Sequence, residues 1–398
     1  MIGGLTMITV KEVLSKKTFH YLQQHTSQDD LTQLVTGVNR VESITLKHLI
    51  QRNELVVTTG EAMINPISEC LSLLKYMKKV GAAALVINTG PYIKKVPEEV
   101  KLYAEEVGCI VIEMPWRIRI ADMTKKIFEE LVKRTKRQSE EIVFIEKLIS
   151  KKITNEEIPV EIINDLGEDF LFEGVVVIVK QTNKREMEIN VFHERLRELF
   201  HQKYNKFISG IVGQMVVFVI NRSSRVSETM NFTKFGKELY AYFDKKKITI
   251  AIGKGESYPN ITEVYKSYDE ALQVITVVQN QDEKWLFKYK DLGVYQFLFA
   301  LKDSPILPQF CKEMLAGVWE YDRCNNQKYY SFLRVFLEEN GHANAISKRL
   351  FIHRNTVSYR VQRIEKILDR SLTNNLDKTS LSLAILIDDL FLHNRADD

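Results

Sequence analysis

At 398 residues, 45% of them hydrophobic and 27% charged, the chain has the make-up of a folded protein of two to four domains rather than a disordered one. Four scattered cysteines, Cys70, Cys109, Cys311 and Cys324, form no CxxC pair and stand near no histidine at zinc-finger spacing, so neither a disulfide framework nor a metal site is suggested. No run approaches the roughly 18 to 20 apolar residues that cross a bilayer, and the start MIGGLTMITV lacks the charged end and apolar core of a signal peptide; the expectation is a cytoplasmic protein with no metal, no cofactor and no membrane partner.

From Thr9 to Pro115 short apolar runs (Leu55 to Val57, Ala83 to Ile87, Cys109 to Ile112) alternate with helical stretches at Pro66 to Val80 and Pro97 to Val107. This is the rhythm of a parallel sheet, and the continuous apolar runs predict strands covered on both faces. Residues 1–117 are therefore expected to form an α/β domain. Its strands end in Thr58-Thr59-Gly60, Asn88-Thr89-Gly90 and Glu113, with Arg40 close to another strand end. In open α/β sheets small ligands bind at that carboxyl edge. The candidate ligand-binding residues are thus Arg40, Thr58, Thr59, Gly60, Asn88, Thr89, Gly90 and Glu113, with the backbone amides of Gly60 and Gly90 free of side-chain cover. The alternative is that these are turn residues and nothing more.

Residues 118–165 are expected to be a helical linker. Ile120, Met123, Ile127 and Leu131 make one apolar stripe and Ile142, Ile145 and Ile149 another, with Lys133 to Ser139 polar between them. Such a break predicts two helices, or one helix with a polar joint, over Ile118 to Ile153, either dimerising or packing on a neighbouring domain. From about Asp169, within residues 166–288, strands at Gly174 to Lys180, Met215 to Ile220 and Ile248 to Gly253 alternate with helices at Asn190 to Gln202, Thr229 to Asp244 and Ile261 to Gln279, an α+β domain with mixed strand pairing. Gly253-Lys254-Gly255 lacks the spacing of a phosphate loop. His193 and His201 share a helix with no serine or cysteine nucleophile beside them, so no catalytic residues are expected.

Residues 289–398 read as all-helical, with stretches at Tyr295 to Leu301 and Leu307 to Trp319 leading to a helix-turn-helix at about 332–368. A helix from Phe332 to Glu339 should stop at Asn340-Gly341, where glycine supplies a left-handed cap. A second runs from Asn344 to Leu350, Phe351-Ile352-His353 turns, and a third runs to Leu368, because Val357, Val361, Ile364 and Leu368 repeat at 4, 3 and 4 residues. Ser347, Ile352 and Val357 are expected to share the small core between them. The opposite face offers His353, Arg354, Asn355, Thr356, Ser358, Tyr359, Arg360 and Arg363, side chains suited to base edges and phosphates of double-stranded DNA. Gly341 to Arg370 carries seven cations against two anions, a net +5 that exceeds the +4 of the whole chain. A last helix, Asp377 to His393, is apolar on nearly every side and is expected either to pack deep on this module or to form a dimer contact.

The segment LFIHRNTVSYRVQRI, with SLSLAILIDDL behind it, resembles the C-terminal module of the PucR and sugar-diacid (CdaR) family of bacterial transcription regulators, and the three-helix core is similar to the Fis-type helix-turn-helix. The stretch IGKGESYPNITEVYKSYDEALQVI resembles the end of the GGDEF-like domain of that family, and the N-terminal domain resembles its sensor domain. The resemblance implies a DNA-binding transcriptional regulator, a homodimer or higher homo-oligomer, answering a small polar effector such as a purine intermediate, a sugar diacid or an amino acid. Active nucleotide cyclases of this fold hold metal ions with carboxylates on a Gly-Gly-acidic turn. The matching turn here, Ile211-Val212-Gly213-Gln214-Met215, has none, which argues against the alternative of a nucleotide-metabolising enzyme.

Overall fold

A computed structural model describes residues 7–26, 31–151, 158–159, 162–163, 174–182, 187–221, 231–281 and 287–392. Of the expected element limits, Ile153, Asp169, Thr229 and His393, and the boundary at 165–166, lie outside the described residues. The chain falls into two compact units: Met1–Lys147 with Met187–Gln202 and Ser209–Val212, and Leu148–Glu186 with Lys203–Ile208 and Gly213–Asp398.

In the first unit, strands β4 (Gly37–Arg40), β5 (Glu54–Thr58), β6 (Ala84–Thr89) and β7 (Val111–Pro115) pair in parallel, and β2 (Gln23–Gln24) adds antiparallel to β7, giving the order β2-β7-β6-β5-β4. Strands β1 (Ile8–Thr9) and β3 (Leu34–Val35) form a separate short ribbon. Val56, Leu85, Ile87 and Val111 pack on one face under helices α2 (Pro66–Val80) and α3 (Glu98–Val107). Leu55, Val57, Val86 and Ile112 pack on the other with helix α1 (Val10–Ser15). Apolar residues of both parities are buried, which is why the runs are continuous. Asn65 caps α2 by accepting from the amide of Ser68, and Gly81 ends it at φ 76°.

Helix α4 is one unbroken helix, Ile120–Ile149, about 45 Å long. Of the two expected forms, one helix with a polar joint is the one found: within Lys133 to Ser139, Lys133, Thr135, Lys136, Arg137 and Ser139 are exposed, while Arg134 and Gln138 are half-buried and meet polar partners. Arg134 donates to Glu12 of α1 at 2.6 Å and to Glu194 of helix α5 (Ile189–His201) at 2.5 Å, and Gln138 donates to Glu194 at 2.6 Å. Two turns on, the buried carboxylate of Glu141 accepts from Arg197 at 2.9 Å and from the backbone amide of Ser209 at 3.0 Å. Ser209 Oγ accepts from Arg197 at 2.9 Å and bonds His193 Nε2 at 2.8 Å. Burial, with Arg197 and Arg134 nearby, drives His193 well below its ordinary pKa and keeps it neutral. Burial also works against ionisation of Glu12, but Arg134 and the bonds from Thr9 outweigh it and hold that carboxyl below its usual value.

A second sheet is formed by strands β8 (Gly174–Gln181), β10 (Met215–Asn221), β11 (Ile250–Lys254) and β9 (Phe207–Val212), in the order β11-β8-β10-β9. The pairs β8–β10 and β8–β11 are antiparallel, not mixed as expected. With α5, helix α6 (Phe232–Asp244) and this order, the chain follows a ferredoxin-like β-α-β-β-α-β path, in which each crossover skips a strand and neighbours run opposite. Helix α7 (Val264–Gln281) follows, then α8 (Val294–Ala300), α9 (Ile306–Asn325), α10 (Tyr329–Glu338), α11 (Ala343–Leu350), α12 (Arg354–Leu368) and α13 (Asn375–Ile387). A π-helical turn, Asp388–Leu392, extends α13. There the buried Asp388 accepts from Tyr330 Oη at 2.5 Å, Arg334 forks onto Asp389, and Phe391 meets Phe299 edge-on at 5.6 Å. Helix α13 thus packs within the C-terminal module, against α9 and α10.

Removing one partner of a buried ion pair leaves the other charge without compensation. Glu141→Ala should therefore destabilise the chain by about 3 to 5 kcal/mol, whereas Lys136→Ala, on the exposed side of α4, should change it by under about 0.5 kcal/mol. Denaturant unfolding followed by hydrogen exchange at α4 and α5 measures the difference.

Candidate nucleic-acid interface

Helices α10, α11 and α12 are each set by local chemistry. The Asp322 carboxylate at the end of α9 caps α10, accepting from the amides of Tyr329 and Tyr330 at 2.8 Å each. Helix α10 stops as expected: Asn340 and Gly341 are both left-handed, at φ 50° and 78°, and the Gly341 amide bonds the Phe336 carbonyl at 2.8 Å. Helix α11 ends at Phe351, also left-handed at φ 53°, so the turn is made without glycine. The Phe351 ring is 95% exposed. His353 caps α12 by accepting from the Asn355 amide on Nδ1 at 3.2 Å, which in the neutral ring puts the proton on Nε2.

The core between these helices is Phe332, Leu333, Phe336, Ile346, Val357 and Ile364. Val357 takes its expected place, but Ser347 and Ile352 are only half-buried. Ile346 rather than Ser347 is the buried residue of α11, as the larger apolar side chain gains more from leaving water.

The face of α12 turned to solvent carries Arg354, Asn355, Ser358 and Tyr359, with His353 exposed just before it and Thr356 half-buried. Gln362 and Lys366 are exposed on the same face, four and eight residues after Ser358. Neither is among the residues expected from the sequence, although helical periodicity carried on from Ser358 reaches both. Arg360 and Arg363 are half-buried. The Arg360 guanidinium lies 5.5 Å from the Phe332 ring centre and 5.9 Å from that of Tyr329. Arg363 lies 5.1 Å from the Tyr321 ring and donates Nε and Nη2 to its hydroxyl at 3.3 and 3.2 Å. Of the seven cations counted in this stretch, Arg349 is paired with Glu338 and Glu339 and Arg370 with Asp377, all outside it. Lys348, Arg354 and Lys366 are exposed.

At the carboxyl edge of the parallel sheet the eight candidate ligand residues separate into local groups. Glu42, missed in the sequence, gathers one of them. Its carboxylate accepts from the Thr59 amide and hydroxyl at 3.0 and 2.7 Å, from Thr58 Oγ1 at 3.4 Å and from Arg40 at 2.7 Å. Arg40 also reaches Glu61 at 3.6 Å. A second group joins Thr89 to Glu113 at 2.8 Å and Glu113 to His25 at 2.6 Å. Asn88 instead holds the end of β7 through the Met114 and Pro115 carbonyls. The amides of Gly60 and Gly90 are not free as expected: they donate to Thr58 Oγ1 and to the Ile93 carbonyl, and the side chains of Ile93 and Trp116 lie over the two glycines. A buried amide without a partner costs about 1 to 3 kcal/mol, so the edge supplies its own.

Three family descriptions match the chain in order: the purine catabolism regulatory protein-like family at residues 12–131, a GGDEF-like domain at 164–277, and the PucR C-terminal helix-turn-helix domain at 329–387. The chain belongs to the PucR family. Among relatives of this PucR-family chain, the DNA-binding transcriptional activator AdeR of Bacillus subtilis (strain 168) is 25% identical over 267 residues, 65% of this chain and 62% of that protein. The proline-responsive transcriptional activator PutR of the same organism is 24% identical over 217 residues, 53% of each. Its purine catabolism regulatory protein is 24% identical over 119 residues, 30% of this chain and 22% of that one. The chain thus spans between about half and three fifths of the length of the first two relatives. A solved structure, the regulator of polyketide synthase expression from Bifidobacterium adolescentis, aligns over 66% of this chain and 94% of its own at 14% identity, with a TM-score of 0.32.

A left-handed residue other than glycine carries about 1 to 2 kcal/mol of backbone strain. Since the Phe351 ring buries almost nothing, Phe351→Gly should stabilise the helix-turn-helix by about 1 kcal/mol. A higher thermal midpoint for the variant is the expected result.

Proposed function

We propose that this PucR-family chain is a DNA-binding transcriptional regulator, active in the cytoplasm as a homodimer or higher homo-oligomer, which controls a catabolic operon in answer to a small polar metabolite. The observation that carries the reading is the solvent face of α12, where Arg354, Asn355, Ser358 and Tyr359 stand exposed on a helix fixed from behind by Val357 and Ile364. An arginine fork reads guanine and an amide reads adenine in the major groove, and recognition helices reach bases with their first turns. His353 and Thr356 flank those residues, and Arg360 and Arg363 lie further along, where phosphates run. The relatives' names, two activators and a catabolic regulator, support the same reading. They also favour a regulator over an enzyme, as does the turn Gly213-Gln214 between β9 and β10, which offers no carboxylate to a metal. One helix-turn-helix covers few base pairs, so two half-sites about 34 to 36 Å apart are expected in the operator.

Replacing Arg354 by Ala should cost about 1 to 3 kcal/mol on the cognate site and relax the base preference at one position. Selection of bound sequences from a random pool, run with both proteins, measures this. An unchanged preference would remove Arg354 from the reading face.

The effector reading rests on Arg40, Glu42, Glu61, Thr58 and Thr59, which converge at the carboxyl edge of the sheet, with Arg40 and Glu61 the exposed members. A ligand with both donors and acceptors can exchange bonds with these groups, whereas an apolar one would strand them. PutR is named for its response to an amino acid, a ligand of that chemistry. Calorimetry should find effector affinity altered by operator DNA and operator affinity altered by effector by the same factor, about 5- to 150-fold. Arg40→Ala should remove that coupling and leave effector-free DNA binding intact; a variant that still couples fully would place the effector elsewhere.

A further inference from the structure

Arg363 stands at the border of the solvent face of α12, and its guanidinium is already engaged on one side. The Tyr321 hydroxyl accepts from Nε and Nη2, and the ring lies beneath the cation at 5.1 Å. Tyr321 is not part of the helix-turn-helix. It sits near the end of α9, beside Asp322, which caps α10, and its ring meets the Tyr329 ring edge-on at 5.4 Å. Helix α9 also runs close against α12, where a Cβ on Gly317 would come within 3.1 Å of the Ile367 carbonyl.

Arginine has five N–H donors in a planar fork. Two nitrogens turned to Tyr321 restrict the plane and the azimuth of that fork, and the Nη1 donors are not used by that contact. A free arginine must lose about 2 kcal/mol of rotamer freedom when it meets a phosphate, and a held one loses less. We propose that Tyr321 is a positioning residue for DNA binding, which holds Arg363 with its outer edge ready for a backbone phosphate. The inference rests on the DNA-binding function proposed above and assigns to α9 a part in it. Because the same turn of α9 supplies the cap of α10, a movement of α9 would disturb the first helix of the module and its phosphate contact together.

The test is a double-mutant cycle on the full chain, with DNA binding measured from low to moderate salt on cognate and random duplexes. Arg363→Ala should weaken both duplexes alike and lower the slope of log affinity against log salt by about 0.9. Tyr321→Phe keeps the ring and removes only the acceptor. It should weaken both duplexes about fivefold, with a thermal midpoint equal to that of the parent, and should add nothing once Arg363 is alanine. If Tyr321→Phe binds like the parent while Arg363→Ala does not, the positioning role is overturned and the DNA-binding function stands. Losses that add fully in the double variant would overturn it as well, since Tyr321 would then act independently of Arg363. A parent chain that binds no duplex at low salt would overturn the function and the inference with it.

Discussion

Carboxylates and guanidiniums withdrawn from water must find each other, and in this chain the fold of the first unit is written around that need. Glu141 is buried where α4 passes from a polar stretch to the apolar run Ile142 to Ile145, and its charge is tolerable because Arg197 and the Ser209 amide face it. Arg197 in turn needs Glu141, and Glu194 beside it takes Arg134 and Gln138. The requirement reaches α1 through Glu12, whose carboxylate serves Arg134 while it completes the capping box with Thr9. A well-packed apolar cluster would hold these elements with equal or greater strength. What the ion pairs add is direction, since each carboxylate must meet the donors that face it. Helix α4 is thereby fixed along its axis and in rotation at the very residues where its hydrophobic stripe lapses.

Periodicity made much of the architecture legible. The repeat Val357, Val361, Ile364, Leu368 laid out α12 before any coordinate, Gly341 marked the end of α10, and the three apolar runs of the N-terminal domain became β5, β6 and β7. Period reports burial, and it fails where a buried residue is polar. That one helix runs through the polar stretch from Lys133 to Ser139 is among the expected forms, but nothing local says that Glu194 and Arg197, some sixty residues on, meet Arg134, Gln138 and Glu141. Strand β9 was missed for a related reason: Ser209 and Gly210 interrupt the apolar run, the serine as a buried hydrogen-bonding hub and the glycine because Ile142 leaves no room for a Cβ.

The polar candidates show the same division. That Arg354, Asn355, Ser358 and Tyr359 share an exposed face follows from helical geometry alone. That Arg360 and Arg363 rest on Phe332, Tyr329 and Tyr321 does not, since those rings belong to other helices. At the sheet edge, residue type marks these side chains as hydrogen-bonding, and the partners they take within the fold come from elements distant in sequence. Thr58 and Thr59 are bonded to Glu42 and Thr89 to Glu113, and Glu42, which organises the first group, stands in no pattern that marks it in the sequence.

The widened turn at Asp388–Leu392 has its own bearing on how this module tolerates change. Consecutive residues of an ordinary α-helix point about 100° apart, yet Asp388 and Asp389 both serve one side of α10, at Tyr330 and Arg334. A π-helical turn accommodates this by taking one residue more than an α-helical turn. The C-terminal helix is therefore keyed by counting as well as by composition. Its length between Asn374, the cap, and Asp388 is as constrained as any buried side chain, and a chain shortened or lengthened there by one residue would have to rewind the turn or surrender both carboxylates.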